Sequence, residues 1–309
     1  MSEMTREIQE AMQQLGYRAK TVSITRLPEI QGAVSELIRQ GLVNRLLHEK
    51  WHFYLDTNKD LPEAKSIAIM VIPQPITRVS FEWQGTIYPA EIAPNYIIKA
   101  DESRAEESLN SVLASAGYKL TRAHLALKTL AVRSGLAQYG RNNISYVPGM
   151  GSFLRLVAFY TDCPCEEDDW QEVTAMEACD NCSLCRDSCP TDSIPSDRFL
   201  IHAENCPGSL QERNPDFPYW VRLQSDWHNA LIGCMRCQSV CPVNKPYLQN
   251  IAEGSYFSEE ETGLILSKTP PEKLAPETRQ KLGLSDGLFP LLASNLRGLI
   301  EKQKRIAGR

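Results

Sequence analysis

The chain has no apolar run long enough to cross a bilayer. Its strongest, Ser66-Ile-Ala-Ile-Met-Val-Ile72, is of strand length, far short of the roughly 20 residues a spanning helix needs. The N-terminus, MSEMTREIQEAMQQLGY, lacks the succession of basic, apolar and small residues that marks an export signal, so a cytoplasmic protein with no membrane segment is expected. No block of Lys and Arg is long enough to track a phosphate backbone, and the formal net charge is -5; DNA binding has no electrostatic support. There is no C-x-x-C-H motif, which removes attached haem. Neither G-x-G-x-x-G nor the phosphate-loop pattern occurs, which leaves a nucleotide site of those kinds unsupported. Histidines are few, and His124, His202 and His228 read as satisfied side chains, His124 within a helix, and not as ligands.

Cysteine is not scarce. Ten cysteines in a chain without an export signal point away from a disulfide framework and toward metal or redox chemistry, because the cytosol keeps thiols reduced. The length of 309 residues, 42% of them hydrophobic, suits about two domains. Helical spacing of apolar residues runs from Ile8 to Leu15 and from Ile30 to Leu47, and Ser66–Ile72 reads as a buried strand between Pro62 and Pro73. Arg104–Ala116 and Thr121–Ser134 read as two helices joined by a turn at Gly117, the second capped by Gly135, and Phe153–Tyr160 reads as another strand. Strands alternating with helices predict an α/β or α+β layer structure. Composition changes at Cys163-Pro-Cys-Glu-Glu-Asp-Asp169. The expected division is residues 1–165, 166–250 and 251–309, the middle part organised by metal and the last part helical.

Cys179, Cys182, Cys185 and Cys189 follow the C-x2-C-x2-C-x3-C-P run of two-cluster ferredoxins, whose fourth thiolate crosses to the other cluster. Cys234, Cys237 and Cys241 repeat the last three positions of that run, with Leu231 where the first cysteine would fall. Cys206, in the connecting segment, is the replacement. The crossing rule then assigns Cys179, Cys182, Cys185 and Cys241 to one [4Fe-4S] cluster and Cys189, Cys206, Cys234 and Cys237 to the other. A pair of structural zinc sites is the alternative for C-x2-C knuckles, although zinc does not require the repeated x2, x3 spacing ending in Cys-Pro. Cys163 and Cys165 read as small, half-buried residues at a domain boundary, with a redox or metal-binding pair as the other possibility.

Between helix and strand, Gly135-Leu-Ala-Gln-Tyr-Gly-Arg-Asn-Asn-Ile-Ser-Tyr-Val-Pro-Gly-Met-Gly-Ser-Phe153 is punctuated by glycine. Such a segment suits either a binding loop, with Arg141 offering a fork of donors, or an ordinary turn-rich connector.

Lys128-Thr-Leu-Ala-Val-Arg-Ser-Gly-Leu-Ala-Gln-Tyr-Gly-Arg-Asn-Asn143, then Gly151-Ser-Phe153, then the cysteine runs closing with Cys237-Gln-Ser-Val-Cys-Pro-Val-Asn244, resemble the epoxyqueuosine reductase family, itself related to the reductive dehalogenases. The resemblance spans Thr121 to Lys245. It implies a nitroreductase-like domain holding a base-off cobalamin, a ferredoxin-like double-cluster domain feeding it electrons, and a short helical C-terminal region. It implies reduction of cobalt, reaction with an electrophilic substrate of which epoxyqueuosine in tRNA is the best-known kind, and a proton from a positioned acid. A tRNA could be met by a local basic patch. A low-potential donor such as ferredoxin or flavodoxin would supply the electrons.

Gly140, Arg141, Asn142, Gly151 and Ser152 fall on the family's Gly-Lys and Gly-Ser positions and are the cofactor-binding residues the resemblance implies. Where the family carries Arg-Asp-Tyr-His, this chain reads Asn95-Tyr-Ile-Ile-Lys-Ala-Asp-Glu102, and Arg141 stands where lysine is usual and cannot donate a proton. The proton-donor candidates are Tyr96, Asp101 and Tyr146, with Tyr139 beside them. Three functions follow: a corrinoid-dependent reductase, an electron-transfer or reductive-activation protein serving a partner's corrinoid or flavin, and a reductase with flavin in place of corrinoid.

Overall fold

The structure is a computed structural model and describes residues 3–43, 58–97, 100–165, 168–212 and 225–308. The chain divides into two compact units, each built from two stretches: residues 1–73 with 100–182, and residues 74–99 with 183–309.

The first unit is organised by strand β2 (Ser66–Pro73), buried along nearly its whole length. Side chains alternate across a strand, so Ile67, Ile69 and Val71 enter one core while Ala68, Met70 and Ile72 enter another. Each fully buried large aliphatic side chain is worth about 1.5–3 kcal/mol, which makes this one segment the main apolar anchor. It lies in an antiparallel sheet of order β1–β2–β8–β5, with β1 at Arg18–Ser23, β8 at Leu154–Thr161 and β5 at Leu120–Ala123. Helices α1 (Glu3–Gln14) and α3 (Ala100–Ser115) cover the Met70 face with Ile8, Met12, Ala105, Leu109 and Leu113, residues that recur every four positions as one helical stripe requires. Helices α2 (Leu27–Arg39) and α4 (Leu127–Arg133) cover the opposite face through Leu27, Ile30, Leu130, Ala131 and Val132.

The expected strands at 66–72 and 153–160 and the expected helices at 8–15 and 104–116 are present as β2, β8, α1 and α3. The expected helix from Ile30 is α2, ending at Arg39; residues 44–47 of that reading lie outside the described residues. The expected single helix Thr121–Ser134 is a strand followed by a shorter helix: Leu120–Ala123 pairs with the edge of β8, Leu120 opposite Thr161, before α4 begins. An open sheet edge supplies hydrogen bonds that local periodicity does not register. His124 is therefore in the connection after β5 and not within a helix. Gly135, at φ 72, ends α4 in the left-handed conformation anticipated for it.

The second unit carries a sheet of order β4–β3–β9. Strands β3 (Ile76–Trp83) and β4 (Thr86–Ile92) form a hairpin closed by Gln84 and Gly85, both at positive φ, the two-residue turn whose twist suits antiparallel strands. Strand β9 (Ile251–Phe257) pairs parallel with β3, where a helical tail is expected from the sequence. This pairing explains why residues 74–99 group with the C-terminal half. Helices α8 (Glu259–Leu266), α9 (Pro276–Leu282) and α10 (Phe289–Ala307) follow. Leu292, Leu296, Leu299 and Ile300 of α10 join Phe81, Ile92 and Phe257 in the core, where the rings of Phe81 and Phe257 stack at 4.7 Å.

Candidate functional site

All ten cysteines are free thiols. The two cysteine runs fold alike. Cys185 lies in the one-turn helix α5 (Leu184–Asp187) and Cys237 in the one-turn helix α7 (Arg236–Ser239). The residues before them, Ser183 and Met235, adopt nearly the same backbone, φ -118 and ψ 2 against φ -104 and ψ 3. Each helix ends on a Cys-Pro pair, Cys189-Pro190 and Cys241-Pro242, because proline cannot continue a helix. Helices α5 and α7 pack against one another.

Cys206 caps helix α6 (Pro207–Gln211), with Pro207 at the first helical position. The backbone N–H groups of Gly208 and Ser209 donate toward its sulfur, while burial pushes the thiol above its usual range. Burial pushes Cys234 up to about 12, opposed by the N–H of Arg236, and the charges of Cys206 and Cys189 are felt there. Cys189, Cys206 and Cys234 thus stand within electrostatic reach of one another. Gly208 lies between Cys206 and Cys234: a Cβ there would sit 3.4 Å from the Cys234 nitrogen and 3.8 Å from the Cys206 sulfur. Buried thiolates this close would repel one another, so the thiols stay protonated, and a bound metal ion, which replaces the protons, offsets that penalty. Gly208 escaped sequence reasoning, although its position two residues after Cys206 was a visible signal.

Cys179 and Cys182 belong to the first unit, and the other six belong to the second. Cys179 ends a 3-10 turn, Glu177–Cys179, that is tied to the glycine-punctuated loop. Strands β6 (Gln138–Tyr139) and β7 (Ser145–Tyr146) form a small hairpin. Tyr139 donates to the Thr174 carbonyl at 3.2 Å and accepts from the Met176 N–H at 2.8 Å. At the hairpin tip, the Arg141 N–H donates to the Cys179 sulfur at 3.4 Å, and its guanidinium donates to the Cys179 carbonyl at 2.6 Å.

Gly140 admits no side chain, since a Cβ would lie 2.6 Å from the Tyr146 ring and 2.7 Å from the Asn142 amide oxygen. Asn142 in turn donates to the Tyr146 hydroxyl at 2.9 Å, both residues being buried. Gly151, at φ 67, closes a second turn by exchanging hydrogen bonds with Val147, and Ser152 beside it is buried.

The proton-donor candidates are scattered. Asp101 lies in the first turn of α3, where it accepts from the Tyr17 hydroxyl at 3.2 Å on the α1 face of the sheet. Tyr146 lies in the hairpin packed against α4, which covers the other face. Tyr139 donates to or accepts from Thr129, and burial raises its phenol. Tyr96 belongs to the second unit, its hydroxyl bonded to the Glu212 carboxylate and its phenol raised well above the usual value by burial and by Glu212. Its ring fills the space beside Gly233, which at φ 78 has no room for a Cβ.

The remaining candidates are engaged elsewhere. Cys163 donates to the Pro164 carbonyl and Cys165 to the Thr21 carbonyl. His202 pairs with Arg198 and Glu204, and His228 is buried beside Gln211. Among the described residues, no three His, Cys, Asp or Glu side chains stand at the spacing of a single bound ion, and no helix is long and apolar enough to cross a membrane.

Residues 178–244, which hold all eight cysteines of the two runs and their connector, match the family described as 4Fe-4S double cluster binding domain. An epoxyqueuosine reductase of Staphylococcus aureus (strain NCTC 8325 / PS 47) is 28% identical over 182 residues, covering 59% of this chain and 43% of that protein. The chain therefore spans about half the length of that relative. The epoxyqueuosine reductase of Leadbetterella byssophila is 23% identical over 269 residues, covering 84% and 86%. A crystal structure of epoxyqueuosine reductase with an epoxyqueuosine-modified tRNA-Tyr stem loop superposes with a TM-score of 0.65 at 19% identity, over 96% of this chain and 81% of that one, which shows a shared fold. In sequence and in fold the chain is similar to the epoxyqueuosine reductases, and it carries a 4Fe-4S double cluster binding domain.

Proposed function

We propose that this protein is an iron-sulfur oxidoreductase working as a corrinoid-dependent reductase of the epoxyqueuosine reductase kind. The observation that supports it best is the placing of Cys206, the one ligand no local motif supplies, beside Cys234 and within electrostatic reach of Cys189. Cys179, Cys182, Cys185 and Cys241 would hold one cluster, and Cys189, Cys206, Cys234 and Cys237 the other. When bound, such clusters supply single electrons at low potential. The N–H groups of Gly208, Ser209, Arg236 and Arg141 donate to the sulfurs and favour the deprotonated thiolates that iron requires.

The cofactor side of the site is Gly140, Arg141, Asn142, Gly151 and Ser152. Gly140 and Asn142 act through shape, fixing the hairpin tip. The Arg141 Nε is buried with no acceptor among the described residues. Tyr96, with its raised phenol, holds its proton at neutral pH; Asp101 and Tyr146 are the other proposed proton carriers. The same reading makes residues 1–165, apart from the 74–99 stretch that groups with the second unit, a nitroreductase-like cofactor domain, 166–250 the ferredoxin-like part and 251–309 an extension whose β9 pairs with β3. The substrate is an electrophile of the epoxide class, tRNA-borne as in the solved relative, and electrons come from a ferredoxin or flavodoxin in the cytoplasm.

Anaerobic reconstitution tests this directly. About eight irons per chain, an EPR signal of base-off Co(II) on adding cobalamin, and conversion of epoxyqueuosine RNA under reducing conditions are expected. Stoichiometric zinc without iron would overturn the cluster reading. A second reading, a reductive-activation protein for a partner's corrinoid or flavin, is favoured by the placement of Asp101, which is engaged by Tyr17 on the sheet face away from the glycine-punctuated hairpin. Eight irons with neither cobalamin nor extractable flavin bound would select it.

A further inference from the structure

We infer that Arg141 is a positioning residue that raises the reduction potential of the cluster held by Cys179; this rests on the reading of Cys179 as a cluster ligand. Three hydrogen bonds from one residue serve one short segment. The Arg141 N–H reaches the Cys179 sulfur at 3.4 Å, and its Nη2 reaches the Cys179 carbonyl at 2.6 Å and the Asp180 carbonyl at 3.5 Å. Carbonyl oxygens are neutral, and no carboxylate among the described residues forms an ion pair with this guanidinium, so no neighbouring carboxylate offsets the positive charge it places at the Cys179 backbone. Its Nε is buried and meets no acceptor among the described residues.

The hairpin leaves Arg141 little freedom. The Gly140 N–H donates to the Ile144 carbonyl at 2.8 Å and the Asn143 N–H to the Gly140 carbonyl at 2.9 Å, with Asn143 at φ 59. Lys128 holds the Asn143 carbonyl at 3.0 Å from α4. The tip is thus clamped from inside by Tyr146 and from outside by α4.

Reduction adds one electron to a thiolate-ligated cluster that already bears net negative charge. A fixed cation and an N–H···S hydrogen bond both stabilise the added charge, so both raise the potential. The residue that the resemblance places on a cofactor loop is also the electrostatic link between that loop and its electron source.

EPR-monitored redox titration of the reconstituted full chain tests this in wild type, Arg141→Gln and Arg141→Lys, with Cys182→Ser and Cys237→Ser identifying which signal belongs to which cluster. Arg141→Gln should lower the midpoint of the Cys179 cluster alone, so that its reduced-to-oxidised ratio at fixed potential falls on the order of tenfold. Arg141→Lys should stay near wild type. No shift at full iron content, an equal shift of both clusters, or a lysine variant that behaves like glutamine would overturn the inference. If Arg141→Gln loses half its iron, the lysine variant decides: a wild-type midpoint supports the role of charge and a lowered one rejects it. Absence of any iron-sulfur signal in wild type would instead remove the cluster reading itself.

Discussion

Cys206 illustrates how a single residue joins a site that its own sequence neighbourhood does not announce. It has no partner cysteine within four positions, yet the α6 cap turns its sulfur toward Gly208 and Cys234. Cys206→Ser should therefore yield protein with about four irons per chain in place of about eight, or a second cluster of altered EPR signal; iron analysis that matches wild type with an unchanged spectrum would show that another residue completes the set. His228 makes a prediction of a different kind. Its ring occupies the space that Gly298 leaves open, where a Cβ would lie 2.6 Å from the imidazole. Burial, helped by the Lys302 charge, pushes its pKa down to about 4.

The unfolded chain protonates this histidine near its ordinary value of about 6.5. The unfolded state therefore binds the extra proton between that value and about 4, and stability falls as pH falls through this window. The full loss is about 3 kcal/mol. Urea denaturation of wild type and His228→Gln at several pH values should show the stability gap between them shrinking by that amount toward acid; a constant gap would place the acid sensitivity elsewhere.

At the scale of elements, β9 shows how a strand can be hidden in a polar segment. Ile-Ala-Glu-Gly-Ser-Tyr-Phe has only a weak alternation and a central glycine. Its pairing with β3 shifts register between Arg78 and Ser80, and Gly254 fills the bulge: a Cβ there would be 2.9 Å from the Arg78 carbonyl oxygen and 2.9 Å from a Val79 methyl. Gly254→Val should destabilise the second unit by about 1–3 kcal/mol, read as a lower urea midpoint with an unchanged slope.

Strand β5 is hidden for the same reason, since Leu120-Thr-Arg-Ala123 owes its conformation to the β8 edge. Elements that carry their own signal were legible: the continuous apolar run of β2, the four-residue stripe of α3, and the glycine stop of α4. The two-residue hairpin turn at Gln84-Gly85 is less legible, because Gln is an unusual left-handed residue.

For the whole molecule, stability is distributed unequally. The first unit holds two apolar cores on either side of its sheet. Within the second, the core lies between sheet and helices α8 to α10, while residues 183–206 contribute few buried apolar side chains, Ile194 among them. On the proposed cluster assignment, metal supplies the order that these cysteine-bearing loops do not draw from apolar burial. Removing iron by chelation under reducing conditions should speed hydrogen exchange in residues 183–212 and 225–250 while β2 and β8 stay protected; equal protection with and without iron would mean that the loops are held by protein contacts alone.

The order and spacing of the cysteines, and the absence of a spanning segment or a basic block, were determined by the sequence alone, because ligand type, thiol spacing and hydrophobic length are local properties of the chain. Which residues stand together was decided only by the tertiary structure. Cys206 reaches Cys234 through a helix cap, Arg141 reaches Cys179 through a hairpin clamped by Tyr146, and residues 74–99 join the C-terminal half through a parallel pairing with β9. Each depends on hydrogen bonds and packing between segments far apart in the chain, whose partners no local pattern names.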